Sequence, residues 1–282
     1  MSGAAFQSGK GHKDENFPVA SFLIAPLHRA PVLAFYRFVR FADDIADHPS
    51  AAPAEKLRLL EEMRASLMSE SDASPEAVAL RTILKERDLS PVHALDLLEA
   101  FRRDVTKLRY RDWEELLDYC RYSAMPVGRF VLDVHGESPS TWPANDALCA
   151  ALQVINHLQD CAKDYRDLNR VYIPEDALAA AGVPADALGQ PAASSPLKRV
   201  IAALARKNAG LLGISRGFAP QLRDFRLALE VDLIQTLAKD LNKTLTRRDP
   251  LSENVHHSKM NVAAIFLMRL PVFGLRRLVG AP

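Results

Sequence analysis

Residues 31–47 read PVLAFYRFVRFADDIAD, and two patterns in that stretch contradict one another. Val32, Leu33, Phe35, Phe38, Val39, Phe41, Ala42 and Ile45 run nearly all the way round a helix, the pattern of a helix buried on most sides. Tyr36, Arg40, Asp43 and Asp47 stand at i, i+4, i+7 and i+11, spacings that gather them into one polar stripe. Ionised side chains are not left uncompensated in an interior. The stripe therefore calls for a cation, an anion or a water-filled cavity beside it.

The contradiction recurs farther along the chain. Asp146 to about Asp167 predicts a second such helix, apolar at Leu148, Ala151, Leu152, Val154, Ile155, Leu158 and Ala162. Gln153, Asn156, Asp160 and Asp164 fall at i, i+3, i+7 and i+11 on it, with His157 adjacent. Aspartates one turn apart project two carboxylates to one side, and hard divalent cations take such oxygen ligands while sharing their shell with substrate phosphate. Two such pairs on two helices suit a Mg²⁺-diphosphate clamped from opposite sides. Arg40 and Arg37 would add charge that stabilises a departing diphosphate. Asn156 and Gln153 would complete the polar shell, and the apolar surroundings imply a hydrocarbon remainder.

Other readings fit part of the pattern. Carboxylates at i and i+4 are common on exposed helix faces, and a buried ion-pair network of Arg37 and Arg40 with the aspartates is self-consistent. A carboxylate-bridged di-iron centre needs Glu with Glu-x-x-His pairs, which neither helix supplies. The matching of two stripes favours metal and diphosphate.

The remaining sequence bounds the class. At 282 residues and 48% hydrophobic content the chain can bury a substantial core, and no run of alternating β-branched residues suggests a sheet, so the fold is expected to be all-α. Lys plus Arg (36) nearly balances Asp plus Glu (35), which gives no basic field for nucleic acid. The three cysteines lack a CxxC pair, which suggests neither disulfides nor zinc and fits a reducing cytoplasm. One domain is expected over 16–259, after a flexible tail at 1–15 that carries no secretion signal. Asp14 to Ala30 should hold a short broken helix, with Pro31 in the first turn of the next. Further helices are expected at 54–69, 75–87, 90–106, 197–216 and 220–247, and a kinked one at 112–135 around Pro126. Loops are expected at 138–145 and, as a mobile segment, at 180–196. The tail 260–282, apolar but broken by Arg269, Pro271, Arg276 and Arg277, is too interrupted to span a membrane and is read as packed or lying on a membrane surface.

At this point the motifs resemble those of the head-to-head trans-isoprenyl diphosphate synthases, the family of squalene and phytoene synthases. Residues 40–47, RFADDIAD, resemble the family's first Asp-rich motif, and Gln153-x-x-Asn156-x-x-Gln159-Asp160-x-x-x-Asp164 its second. Ser21-Phe22, Tyr119-Cys120 with Val127-Gly128, and Arg170-x-Tyr172-Ile-Pro174 resemble three further stretches in the family's order. Residues 16–22 and 119–128 are most similar to the bacterial hydroxysqualene-forming branch. Where squalene and phytoene synthases carry Ala-Gly in the kinked helix this chain has Ala124-Met125-Pro126, and Gln159 stands where many carry Arg. Both departures bear on the condensation half-reaction rather than on ionisation.

The resemblance implies an isoprenoid-synthase bundle with two facing Asp-rich helices around a central cavity, acting on presqualene diphosphate. It implies ionisation to a cyclopropylcarbinyl cation, rearrangement and capture by water, giving hydroxysqualene and diphosphate without nicotinamide. It assigns Asp43, Asp47, Asp160 and Asp164 to Mg²⁺, Asn156 to their support, and Arg40, with Arg37, to the diphosphate. Tyr119 becomes the polar group beside the cation, Tyr36, Ser21 and Phe22 line the cavity, and Tyr122, His157 and Gln159 are candidates for positioning water. A presqualene diphosphate synthase before it and a flavin-dependent reductase after it are the implied functional partners, at the cytoplasmic side of the inner membrane. The alternatives are a condensing prenyltransferase making presqualene diphosphate, squalene or phytoene, and a non-catalytic helical lipid-binding protein.

Overall fold

The computed structural model describes residues 24–258, together with 260–262, 264–265 and 267–269 of the segment that follows. The N-terminal tail, Ser21 and Phe22 lie outside the described residues. In chain order the helices are α1 (Pro26–Asp47), α2 (Pro53–Leu67), α3 (Pro75–Glu86), α4 (Val92–Thr106), α5 (Trp113–Ser123) and α6 (Met125–Val134). Then come α7 (Trp142–Gln159), α8 (Cys161–Leu168), α9 (Glu175–Ala180), α10 (Ser195–Ile214), α11 (Phe218–Gln221) and α12 (Phe225–Leu245). An isolated bridge between Arg109 and Val171 is the extended pairing among the described residues. The protein is all-α.

The chain divides into two compact units, residues 1–108 with 121–136, and residues 109–120 with 137–282. In the first, α1 packs against α2, α3, α4 and α6. Phe38, Ala42 and Ile45 of α1 are fully buried, among Leu60, Met63, Leu80 and Leu97 of its neighbours. Phe35 stacks on Phe130 of α6 with ring centroids 3.9 Å apart. A helix apolar on most of its circumference is thus surrounded, as its sequence demands.

α1 begins at Pro26, earlier than the expected start at Pro31, and Pro31 lies inside it. Pro26 occupies the first turn, where a missing N–H costs nothing. Pro31 removes the donor that would reach the Leu27 carbonyl, and the Arg87 guanidinium donates to that carbonyl instead, at 3.1 Å. The kink expected around Pro126 is a break: α5 and α6 are separated by Ala124 at φ −126°, and Pro126 sits in the first turn of α6.

In the second unit α7, α10 and α12 pack together around a buried polar chain. The Asn208 amide donates to the Ala151 carbonyl at 3.1 Å and to Asn242 Oδ1 at 3.0 Å, and Asn242 donates to the Ala205 carbonyl at 2.8 Å. The expected loop at 138–145 shrinks to a 3₁₀ turn, Pro139–Thr141, because α7 starts at Trp142 with a proline in its first turn. The helix expected at 220–247 is interrupted. Leu222 is extended, the Glu137 carboxylate accepts from the Arg223 and Asp224 N–H groups, and Asp224 caps α12 by accepting from Arg226 and Leu227. The segment 180–196, expected to be mobile, is packed: Leu188 is fully buried, and Ala193 donates its N–H to Asp249 at 2.9 Å. Past residue 258 the described residues are helical, and Arg269 forms a bidentate ion pair with Asp232 of α12.

Candidate active site

Each unit carries one of the two carboxylate stripes. On α1 the Arg40 guanidinium donates to Asp43 Oδ2 at 2.9 Å and to Asp44 Oδ1 at 2.8 Å. The Asp43 carboxyl is pushed up to about 7, by burial first and then by the Asp47 carboxylate, with Arg40 opposing and Asp104 and Asp44 adding smaller upward pushes. Asp47, Asp44 and Asp104 thus act on the Asp43 carboxyl together with Arg40. Carboxylate oxygens gathered in this way are the donor type that a hard divalent cation takes. Tyr36 is half-buried, whereas Arg37 is exposed.

Two members of this neighbourhood escaped the sequence reading. Asp44 is buried, yet it lies beside Asp43 in sequence and off the stripe that the helical period picks out. Asp104 of α4 is also buried. Its signal was present: Leu97, Phe101 and Asp104 stand at i, i+4 and i+7, which puts a carboxylate on the core face of an amphipathic helix.

The second stripe is held on α7 and α8, with Gln153, Asn156, Asp160 and Asp164 all half-buried. The expected continuous helix is broken at Asp160, whose φ/ψ of −97°/7° closes α7 and opens α8. Backbone bonds of helical type continue on both sides, Asp160 N–H to the Asn156 carbonyl at 2.9 Å and Asp164 N–H to the Asp160 carbonyl at 2.8 Å. The four-residue spacing of the pair survives the break.

Gln159 and His157 leave the stripe for other partners. The Gln159 amide is buried and donates to the Val255 carbonyl at 2.9 Å. That bond holds the segment in which His256 Nε2 lies 3.8 Å from Asp160 Oδ1, with the His256 N–H donating to Asn254 Oδ1 at 2.9 Å. His256 is a site neighbour that helical spacing could not reveal, because it comes from 96 positions beyond Asp160. His157 stacks on Tyr172 at 3.6 Å, in a cluster with Tyr119 and Tyr110. Burial, and then the Arg170 charge, push its imidazole down to about 3, so it is neutral. Tyr119 is buried in the same cluster, with its ring 5.6 Å from that of Tyr172. Tyr122 parts from it: its ring lies under the Arg103 guanidinium at 4.1 Å, in the other unit. Burial pushes the Cys120 and Cys161 thiols up to about 12, which removes them as nucleophiles.

Comparison with known proteins gives consistent results. The model of the squalene/phytoene synthase family matches residues 10–261. A hydroxysqualene synthase of Zymomonas mobilis is 57% identical over 261 residues, covering 92% of this chain and 88% of that protein. A hydroxysqualene synthase of Rhodopseudomonas palustris is 57% identical over 255 residues, covering 90% of this chain and 87% of that one. Among solved structures, squalene synthase HpnC from Alicyclobacillus acidocaldarius aligns with TM-score 0.73 and 31% identity over 87% of this chain and 92% of that one. Two carboxylate stripes in the expected order, an all-helical architecture and a family match over most of the chain converge: this protein belongs to the squalene/phytoene synthase family.

Proposed function

We propose that the chain is a hydroxysqualene-forming enzyme, a Mg²⁺-dependent carbon–oxygen lyase that converts presqualene diphosphate and water to hydroxysqualene and diphosphate. The C–O bond to the diphosphate breaks heterolytically and the electron pair leaves with the diphosphate. The carbocation rearranges, a water oxygen bonds to it, and one water proton is released. No reductant enters the balance. The identity to the Zymomonas protein over 92% of the chain supports the choice of product. The observation that carries the chemistry is the gathering of Asp47, Asp44 and Asp104 about the buried Asp43 carboxyl, beside Arg40.

Asp43 and Asp47 on α1, and Asp160 and Asp164 on α7 and α8, would hold the metal, with Asn156 and Gln153 orienting the polar end of the substrate. When bound, Mg²⁺ supplies the charge that offsets the departing diphosphate. Arg40, which donates to Asp43 and Asp44, keeps a guanidinium at the stripe, where its charge would stabilise phosphate oxygens. Tyr119 sits among aromatic rings, whose faces favour a cation, and the neutral His157 adds no competing positive charge to that cluster. The enzyme's functional partners are a presqualene diphosphate synthase before it and a reductase of the allylic alcohol after it.

The deciding experiment incubates purified protein with Mg²⁺ and presqualene diphosphate, without a nicotinamide, and identifies the extracted products by mass spectrometry. Hydroxysqualene is the expected product, and Asp47→Ala or Asp160→Ala should lower its yield roughly 100-fold or more with helical circular dichroism unchanged. Presqualene diphosphate formed from farnesyl diphosphate, with no turnover of presqualene diphosphate itself, would move the protein to the condensing branch. Normal activity in both variants would remove the metal assignment.

A further inference from the structure

Between α10 and α12, on the second unit, lies a surface groove of about 350 Å³. Its walls carry four cations and no carboxylate: Arg206 and Arg216 from α10 and the turn after it, and Lys239 and Lys243 one turn apart on α12. None of the four forms an ion pair among the described residues. Gly213 leaves the floor low, with nothing within 4 Å of where a Cβ would stand. Like charges are gathered here at a cost that the fold does not offset internally. Burial and the Arg216 guanidinium pull the Lys239 ammonium below its usual range, Arg269 adds to that pull, and Asp232 opposes it. Asp232 is itself taken up by Arg269.

Apolar side chains stand exposed at the end of α10 and on the segment that follows α12. Ile214, next to Gly213 at the end of α10, is 65% exposed. Leu267 and Met268 are 69% and 63% exposed, on the segment that Arg269 ties to α12 through Asp232. Clustered cations beside unpartnered apolar side chains are the features by which a protein lies on an anionic bilayer. No helix of the described residues is long and apolar enough to cross one.

We propose that this groove seats the phosphate headgroups of an anionic lipid bilayer, with Ile214, Leu267 and Met268 entering the acyl boundary. Its use, delivery of a water-insoluble alcohol to the membrane, rests on the proposed function; the binding itself does not. The attraction is electrostatic at the groove and should weaken as salt rises.

The test is flotation of the full-length protein with vesicles of phosphatidylcholine alone and of phosphatidylcholine with phosphatidylglycerol. The protein should float with the second and stay behind with the first. The double variant Lys239→Glu/Lys243→Glu should lose more than roughly 30-fold in partitioning, the loss expected from removing two basic residues alone, because it also adds two negative charges near an anionic surface. Its melting temperature and its turnover in detergent solution should match the parent's. Arg206→Gln/Arg216→Gln, a milder change, should move partitioning in the same direction. Equal flotation by parent and variants, or equal binding to both vesicle types, overturns the proposal. So does saturable binding of inorganic diphosphate by the four cations without vesicle binding, which would make the groove a site for a free anion. Flotation needs no turnover, so failure of the catalytic reading would show in the product assay and not here.

Discussion

At Asp43 the fold holds a carboxyl that ionises near pH 7 instead of near 4, and the sign of that shift makes a prediction. Between those values the folded state keeps a proton that the unfolded chain has released, so stability falls as pH rises through the window and the full penalty is present above it. Asp43→Asn should therefore raise the melting temperature of the metal-free protein at pH 8, by about 2 °C or more, and by less at pH 5, where only part of the penalty is present. Mg²⁺ should raise the melting temperature of the parent at pH 8 and leave the variant nearly unmoved. A variant destabilised equally at both pH values would show that the carboxylate is a structural ion-pair member. At this scale the sequence was readable wherever a side chain belongs to a helical stripe, as at Asp43, Asp47, Asp160 and Asp164. It was silent on His256, placed beside Asp160 by tertiary packing, and on the bond by which the Gln159 amide fastens the Val255 carbonyl.

Helix identity was legible from composition and apolar period, and helix ends were not. The extra turns of α1 were hidden because Pro31 reads as a start signal, and only the distant Arg87 makes its position inside the helix tolerable. The break at Asp160 has no local breaker at all. What holds α7 in register is the buried amide chain through Asn208 and Asn242, and this sets an element-scale prediction. Asn208→Ala leaves the Ala151 carbonyl and Asn242 Oδ1 without their donor in a dry interior, so it should cost about 2 to 4 kcal/mol in urea unfolding. A cost within about 0.5 kcal/mol would mean that these helices are held by apolar packing alone.

Along the chain, the segments of the two units alternate. The first unit needs residues 121–136, which return to it after the chain has contributed residues 109–120 to the second. Without that return α1 loses Phe130 from the face of Phe35, and its core loses the buried Val134. A fragment of residues 1–108 should show no cooperative thermal transition by circular dichroism, whereas 1–136 should recover one; a cooperative melt of the shorter piece would contradict this dependence. Sequence reading anticipated one continuous domain, because helices resume without change of character on either side of every loop, and composition carries no trace of a chain that leaves a unit and comes back.

That alternation also sets an order of events on the ribosome. As synthesis proceeds from the N-terminus, α1 to α4 emerge with their central helix unfinished, and the ring that covers Phe35 is not yet made. The nascent chain must hold a greasy, carboxylate-bearing helix in the open until residue 136 has cleared the exit tunnel, while nearly all of the second unit is still untranslated. Chaperone capture and aggregation during synthesis would therefore concentrate on the interval between the emergence of residue 109 from the tunnel and that of residue 136.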